Sequence, residues 1–175
     1  MSDAVDELLA QWARERPDLD VWPMGVVGRI SRLARLMERE LNGFFAARGL
    51  GPAEFDVLAT LRRSGPPYEL TAGALLKSSM VTSGAITNRV DRLEAKGLVE
   101  RLQSAEDRRS VPVRLTPRGL ELVDELVALH VANEARLLEA LDRADCDQLS
   151  GTLRRLLESL GDTSLGATAA GRDQG

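Results

Sequence analysis

The chain has almost none of the residues that build disulfide frameworks, metal centres or active sites. It has a single cysteine, Cys146, which excludes an internal disulfide, and a single histidine, His130. These two residues cannot supply the ligand set of a usual zinc site. No nucleophile–base pair, phosphate-binding loop or pair of catalytic carboxylates stands out. We therefore predict that the protein is not an enzyme and has no cofactor.

Long apolar runs and aromatic residues are also scarce. There is no apolar run of eighteen residues and no secretory signal pattern after Met1, which predicts a cytoplasmic protein that does not bind membranes. Aromatic residues make up 3% of the 175 residues, and leucine and alanine dominate the 43% that are apolar. That composition favours helices over a β-sandwich or barrel, and the length suffices for one compact domain with an appended dimerisation part.

One helix is predicted inside the stretch from Met80 to Gly119, around which the rest of the chain is organised. Thr82 or Ser83 can cap its start, because a side-chain oxygen there accepts a free backbone N–H of the first turn. Gly97 ends it, because glycine adopts positive φ readily. Between these ends, three apolar residues at spacings of four and three form a buried stripe: Ile86, Val90 and Leu93.

A β-hairpin is predicted directly after that helix. Residues 98–102, LVERL, and 111–115, VPVRL, are short segments rich in valine and leucine that predict two strands. The segment between them, 104–110, is too polar to bury, so it predicts the hairpin tip, with Arg108 and Arg109 in it. A helix followed at once by a hairpin with arginines at its tip is typical of a winged helix-turn-helix.

Other helices are predicted on both sides of this unit from apolar periodicity and from proline and glycine breaks. They run from about residue 3 to 16, 23 to 48, 52 to 63, 72 to 77, 117 to 143 and 146 to 160. The last two carry more leucine than one small domain can cover, which predicts burial against a second copy in a twofold homodimer.

The predicted fold class is therefore mainly α: a winged helix-turn-helix with an additional N-terminal helix and terminal dimerisation helices. The predicted organisation assigns the additional helix and a linker to 1–22, dimerisation helices to 23–48 and 117–160, the DNA-binding lobe to 49–116, and a disordered tail to 161–175.

Basic residues are concentrated around the helix and hairpin predicted between Met80 and Gly119. From Lys77 to Arg118 the chain has nine Lys or Arg and five Asp or Glu, a net charge of +4. The whole chain has −4, which leaves −8 for all other residues. An acidic protein with one basic segment concentrates its attraction for phosphate there. We therefore predict double-stranded DNA as a partner. The alternative class, a winged helix that only binds proteins, has no need of arginines at the wing tip.

Two motifs in this stretch resemble the MarR (multiple-antibiotic-resistance regulator) family. Residues 107–119 read DRRSVPVRLTPRG and are similar to the family's wing signature. Residues 83–99 read SGAITNRVDRLEAKGLV and are similar to its recognition helix. The resemblance implies a dimer that binds a pseudo-palindromic operator, usually as a repressor. It also implies release by a small molecule held between the dimerisation and DNA-binding parts.

Seven polar residues are the predicted DNA contacts: Thr82, Ser83, Thr87, Asn88, Arg92, Arg108 and Arg109. Asn88 and Arg92 lie on the outward side of the predicted helix, where Asn88 can bond an adenine edge in the major groove. The hydroxyls near the helix start can hold a phosphate. By family resemblance, Arg109 enters the minor groove. The alternative for the helix residues is a plain solvated face.

Four residues, with the additional helix, resemble the urate-responsive subgroup of that family: Trp12, Asp56, Arg89 and Arg101. A guanidinium suits a planar anion because it forms paired hydrogen bonds and stacks. Trp12 offers an aromatic wall, and the Asp56 carboxylate would be repelled by the anion. The resemblance thus implies a small anionic effector, urate first.

Other interpretations of these residues remain open. Trp12 alone is more often a packing residue, Asp56 and Arg89 alone could form an internal salt bridge, and Arg101 could contact phosphate. Another anion, such as a polycarboxylate or a phenolic acid, is the main alternative effector. A redox switch through Cys146, near a helix N-terminus that can lower a thiol pKa, is a further one.

Overall fold

The chain forms seven helices and three short strands in the part that the computed structural model describes, residues 2–78, 86–102 and 111–165. In order they are α1 (Ala4–Glu15), α2 (Trp22–Ala46), α3 (Pro52–Arg63), β1 (Glu69–Thr71), α4 (Ala72–Ser78), α5 (Ile86–Ala95), β2 (Val99–Arg101), β3 (Pro112–Leu115), α6 (Pro117–Leu137) and α7 (Arg143–Ser159). The chain divides into two compact units, residues 1–47 and 48–175. No described helix is both long and apolar enough to cross a membrane.

The first unit is a pair of helices, α1 and α2. Asp3 caps α1 by accepting from the backbone N–H groups of Val5 and Asp6, and the Asp6 carboxylate accepts from the Asp3 N–H in return. Arg29 of α2 donates to both carboxylates, at 2.8 Å to Asp3 and 2.6 Å to Asp6. A Cβ at Gly28 would lie 3.4 Å from a methyl of Val5, an ordinary van der Waals distance, so the two helices pack closely at this position.

The second unit is built around a three-stranded antiparallel sheet in the order β1-β3-β2. Leu70 and Arg101 both lie opposite Val113 of the central strand. Strand β1 was not predicted, because three residues are too few for an alternating pattern to stand out. Its pairing with β3 is what makes it a strand. The core beside the sheet contains six apolar side chains that are almost fully buried: Leu58, Leu61, Leu75, Leu93, Val123 and Leu126.

Helix α6 is shorter than predicted. It ends at Leu137, whereas the apolar periodicity predicted a helix to about residue 143. The chain turns at residues 138–142, and α7 begins at Arg143 because the Asp142 carboxylate accepts from the Asp145 N–H at 2.8 Å. A helix-capping aspartate, rather than the apolar pattern, therefore sets this boundary.

Candidate nucleic-acid interface

Helix α5 buries one face and exposes a polar one. Val90 and Leu93 are buried in the core, and Ile86 is half-buried. On the other side, three of the predicted DNA contacts are exposed: Thr87, Asn88 and Arg92. Gly97, with φ 69°, follows the helix and turns the chain into β2. Two further predicted contacts, Thr82 and Ser83, lie outside the described residues.

Helix α4 packs against both α3 and α5, as the first helix of a helix-turn-helix does. Thr71 caps it, since its hydroxyl accepts from the Ala74 N–H at 3.2 Å. At the other end, Arg63 of α3 donates to the backbone carbonyl of Ser78. Leu75 is fully buried between these contacts. The short helix is thus fixed at both ends.

The base of the wing is held to itself and to α5 by ion pairs. Glu100 and Arg114 lie opposite each other on β2 and β3 and pair at 2.8 Å. Arg101 of β2 donates to the carboxylates of Asp91 and Glu94 on α5. Burial lowers the pKa of Arg101, but the hydrogen bond to Asp91 and the charge of Glu94 outweigh it, and the net effect is a raised pKa. The predicted contacts at the wing tip, Arg108 and Arg109, lie outside the described residues.

The predicted effector residues occupy three different settings. Asp56 is half-buried on α3, with its Oδ2 atom buried, and Arg89 is half-buried on α5. Helices α3 and α5 pack against each other. Arg101 is held by the two carboxylates on α5 rather than left open for an anion. Trp12 belongs to the first unit, where it lines a mainly apolar groove of about 510 Å³ between α1 and α2.

Glu54 was missed by the sequence analysis, although it is one of two buried polar residues in the described part of the chain. Its carboxylate accepts from Lys96 Nζ at 2.8 Å and from the Gly51 N–H at 2.8 Å. Burial alone would raise the pKa of Glu54, but these hydrogen bonds outweigh it and the pKa is lowered. A glutamate three residues after the position preceding α3 has capping-box spacing, and that was the available signal.

A helix with an exposed polar face after a short packed helix, followed by strands paired as a wing, defines a winged helix-turn-helix. The chain belongs to the MarR family, whose sequence profile matches residues 50–111. It is 39% identical to the HTH-type transcriptional regulator PecS of Dickeya dadantii over 89% of this chain and 94% of that protein.

Two further comparisons concern a regulator of Escherichia coli. The chain is 32% identical to the multiple antibiotic resistance protein MarR of that organism, over 61% of this chain and 70% of that protein. The crystal structure of a mutant of E. coli MarR in complex with operator DNA matches with a TM-score of 0.62 and 28% identity, over 89% of this chain and 99% of that one. The predicted fold class and family are confirmed, and the relatives are regulators rather than enzymes.

Proposed function

We propose that the protein is a dimeric, ligand-responsive repressor that binds a pseudo-palindromic operator through α5 and the wing. A small anion, with urate as the first candidate, releases it. The proposal of DNA binding rests on the two faces of α5. Thr87, Asn88 and Arg92 are exposed on one face, and Val90 and Leu93 are buried on the other. A helix presented in this way can enter a major groove, which is wide enough for one α-helix.

The Asn88→Ala variant is expected to bind its operator about 10- to 100-fold more weakly, since one bidentate base contact contributes about 1–3 kcal/mol of discrimination. Binding to scrambled DNA should be unchanged, because the amide carries no charge. Fluorescence anisotropy with both duplexes at fixed salt measures this. Gln148→Ala, which removes an exposed amide from α7, is the matched control. Equal operator affinity for Asn88→Ala and the unaltered protein would exclude base reading by Asn88.

The wing is proposed to contribute to operator binding independently of α5. Arg109→Ala is expected to weaken operator binding while leaving the dimer folded, because an arginine that enters the minor groove adds binding energy. Unchanged affinity at moderate salt would reject the role of the wing tip. The comparison with Asn88→Ala then shows which element carries more of the recognition.

Dimerisation is supported by helix faces that a single chain leaves uncovered. In the described part of the chain, α7 has no buried residue, and several leucines along it and at its C-cap are well exposed: Leu149, Leu153, Leu156, Leu157 and Leu160. Apolar residues of α2 are also well exposed, with Val26 at 50% and Leu33 at 46%. Apolar faces of this extent are usual at interfaces between copies.

The effector proposal combines the subgroup resemblance with the settings of Asp56 and Arg89. Both side chains are half-buried, and they lie on two helices that pack against each other. An anion that pairs with Arg89 would repel Asp56 and so shift α3 relative to α5. Pairing with Arg101 requires the anion to compete with Asp91 and Glu94, which would loosen the base of the wing from α5. The anion must bind the DNA-free state more tightly, because only differential affinity shifts the equilibrium.

Sub-millimolar urate is expected to release the protein from its own promoter fragment, and Arg89→Gln is expected to abolish that release. The measurement is a titration of the complex with urate, salicylate and citrate in parallel. Release by salicylate or citrate alone would assign the effector to another class of anion. Loss of binding with peroxide, absent in Cys146→Ser, would instead favour the thiol, which is half-buried in the first turn of α7.

A further inference from the structure

We infer that Glu54 is a positioning residue for operator recognition, because through Lys96 it fixes the C-terminal end of α5 against the N-terminal end of α3. The inference rests on the proposed function in one respect: α5 must be the helix that reads DNA. It adds a residue that touches no DNA and lies on neither the polar face of α5 nor the wing.

One carboxylate oxygen joins three parts of the chain. Glu54 Oε2 accepts from the Gly51 N–H and from Lys96 Nζ, each at 2.8 Å. Lys96 Nζ also donates to the backbone carbonyl of Gly49 at 2.9 Å. Lys96 directly follows α5, and its N–H still bonds to the Arg92 carbonyl at 3.1 Å. The segment before α3, the first turn of α3 and the end of α5 therefore meet at this carboxylate.

Stability alone is a weak reason for such a pair. The Glu54 side chain is only 8% exposed, so its charge has lost most of its hydration, and apolar residues of similar volume often serve stability as well as or better than an ion pair. The pair instead restricts the relative position of the two helices, since the salt bridge and the two further hydrogen bonds are all made only when the end of α5 lies against the start of α3. It fixes where α5 ends relative to α3.

The position of the C-terminal end of α5 determines where its proposed DNA-contacting residues lie. Asn88 is eight residues before Lys96, about 12 Å along a rigid helix, so a small rotation at Lys96 displaces the amide by more than base contacts tolerate. A second set of ion pairs joins α5 to the wing, where Arg101 of β2 pairs with Asp91 and Glu94 of α5. The two ion-paired sites, one on α3 and one on β2, together restrict rotation of α5.

Glu54→Gln separates positioning from electrostatics because it removes a negative charge. A purely electrostatic effect would strengthen binding to all DNA. Positioning predicts the opposite for the operator: affinity about tenfold lower, with affinity for scrambled DNA unchanged or higher. Glu125→Gln makes the same charge change at an exposed site on α6 and should leave the ratio of the two affinities unchanged. Anisotropy titrations of both duplexes at the same salt give this ratio.

Variants of Lys96, the more exposed member of the ion pair, test the same contact and do not depend on whether Glu54→Gln folds. Lys96→Gln changes the net charge in the opposite direction but should lower the same ratio, whereas Lys96→Arg, which keeps the charge, should preserve it. An operator-to-scrambled ratio within twofold of the unaltered protein in both Glu54→Gln and Lys96→Gln overturns the inference. If Asn88→Ala lowers the ratio in that case, only the inference fails. If Asn88→Ala also leaves it unchanged, the reading role of α5 fails with it.

Discussion

Gly119→Ala is expected to destabilise the winged unit by at least about 3 kcal/mol, a large share of the stability of a domain of this size. Gly119 lies in the first turn of α6, where its N–H bonds to the Thr116 hydroxyl at 3.0 Å. A Cβ built there would lie 1.9 Å from the Leu98 carbonyl oxygen and 2.9 Å from its carbon. Both are backbone atoms, so no side chain can rotate away.

The clash reaches the wing because the same carbonyl takes part in its base. The Leu98 oxygen accepts from the Thr116 N–H at 3.1 Å, directly after which α6 begins. Separating α6 from Leu98 would therefore strain the connection between β3 and α6. We expect a melting temperature lower by about 10 °C or more, measured by circular dichroism.

Gly151→Ala is the matched control for this substitution. Gly151 lies inside α7, and a Cβ there would meet nothing within 4 Å. Alanine is the better helix former, so this variant should gain about 0.5–1 kcal/mol. If Gly119→Ala melted within 2 or 3 °C of the unaltered protein, the close packing of α6 on Leu98 would be refuted.

Gly119 also shows what the sequence could and could not reveal. Its place after the wing was visible as part of a family motif, but the reason for glycine was not, since the Leu98 carbonyl lies 21 residues earlier in the chain. Helices α1 to α5 were predicted to within a few residues where they are described, because periodicity and end signals are local. Strand β1 and the break before α7 depend on tertiary pairing and on one capping side chain, and periodicity gives neither.

Part of the candidate site could be predicted from the sequence and part could not. The exposed face of α5 followed from helical geometry, because residue types and spacing determine it. Ion pairing did not follow, because it joins residues that are distant in sequence. The net charge of +4 gives only a sum for the segment, whereas the structure shows which cations are paired: Arg101 with Asp91, Arg114 with Glu100, and Lys96 with Glu54, which lies outside the counted segment. Attraction for DNA is therefore concentrated on fewer cations, such as the exposed Lys77 and Arg92.

The Leu153→Glu substitution is expected to dissociate the proposed dimer and, with it, to abolish operator binding at working concentrations. Leu153 is 38% exposed in a single chain, within the leucine stripe of α7. A glutamate there is solvated in a monomer and should leave the fold unchanged. Buried between two copies without a partner, its charge should cost at least about 3 kcal/mol, which is more than about 100-fold in the dissociation constant.

Sedimentation over a range of concentrations, with a thermal melt and an operator titration, tests this prediction. A dimer reads two half-sites one helical turn apart, so a monomer loses the second contact and the affinity gained by linking them. Gln148→Glu adds the same charge to α7 away from the leucine stripe. It should change neither the mass of the sedimenting species nor the affinity for the operator. A Leu153→Glu protein that stayed dimeric would place the interface elsewhere. One that dissociated yet bound its operator with undiminished affinity would show that a single copy suffices for recognition.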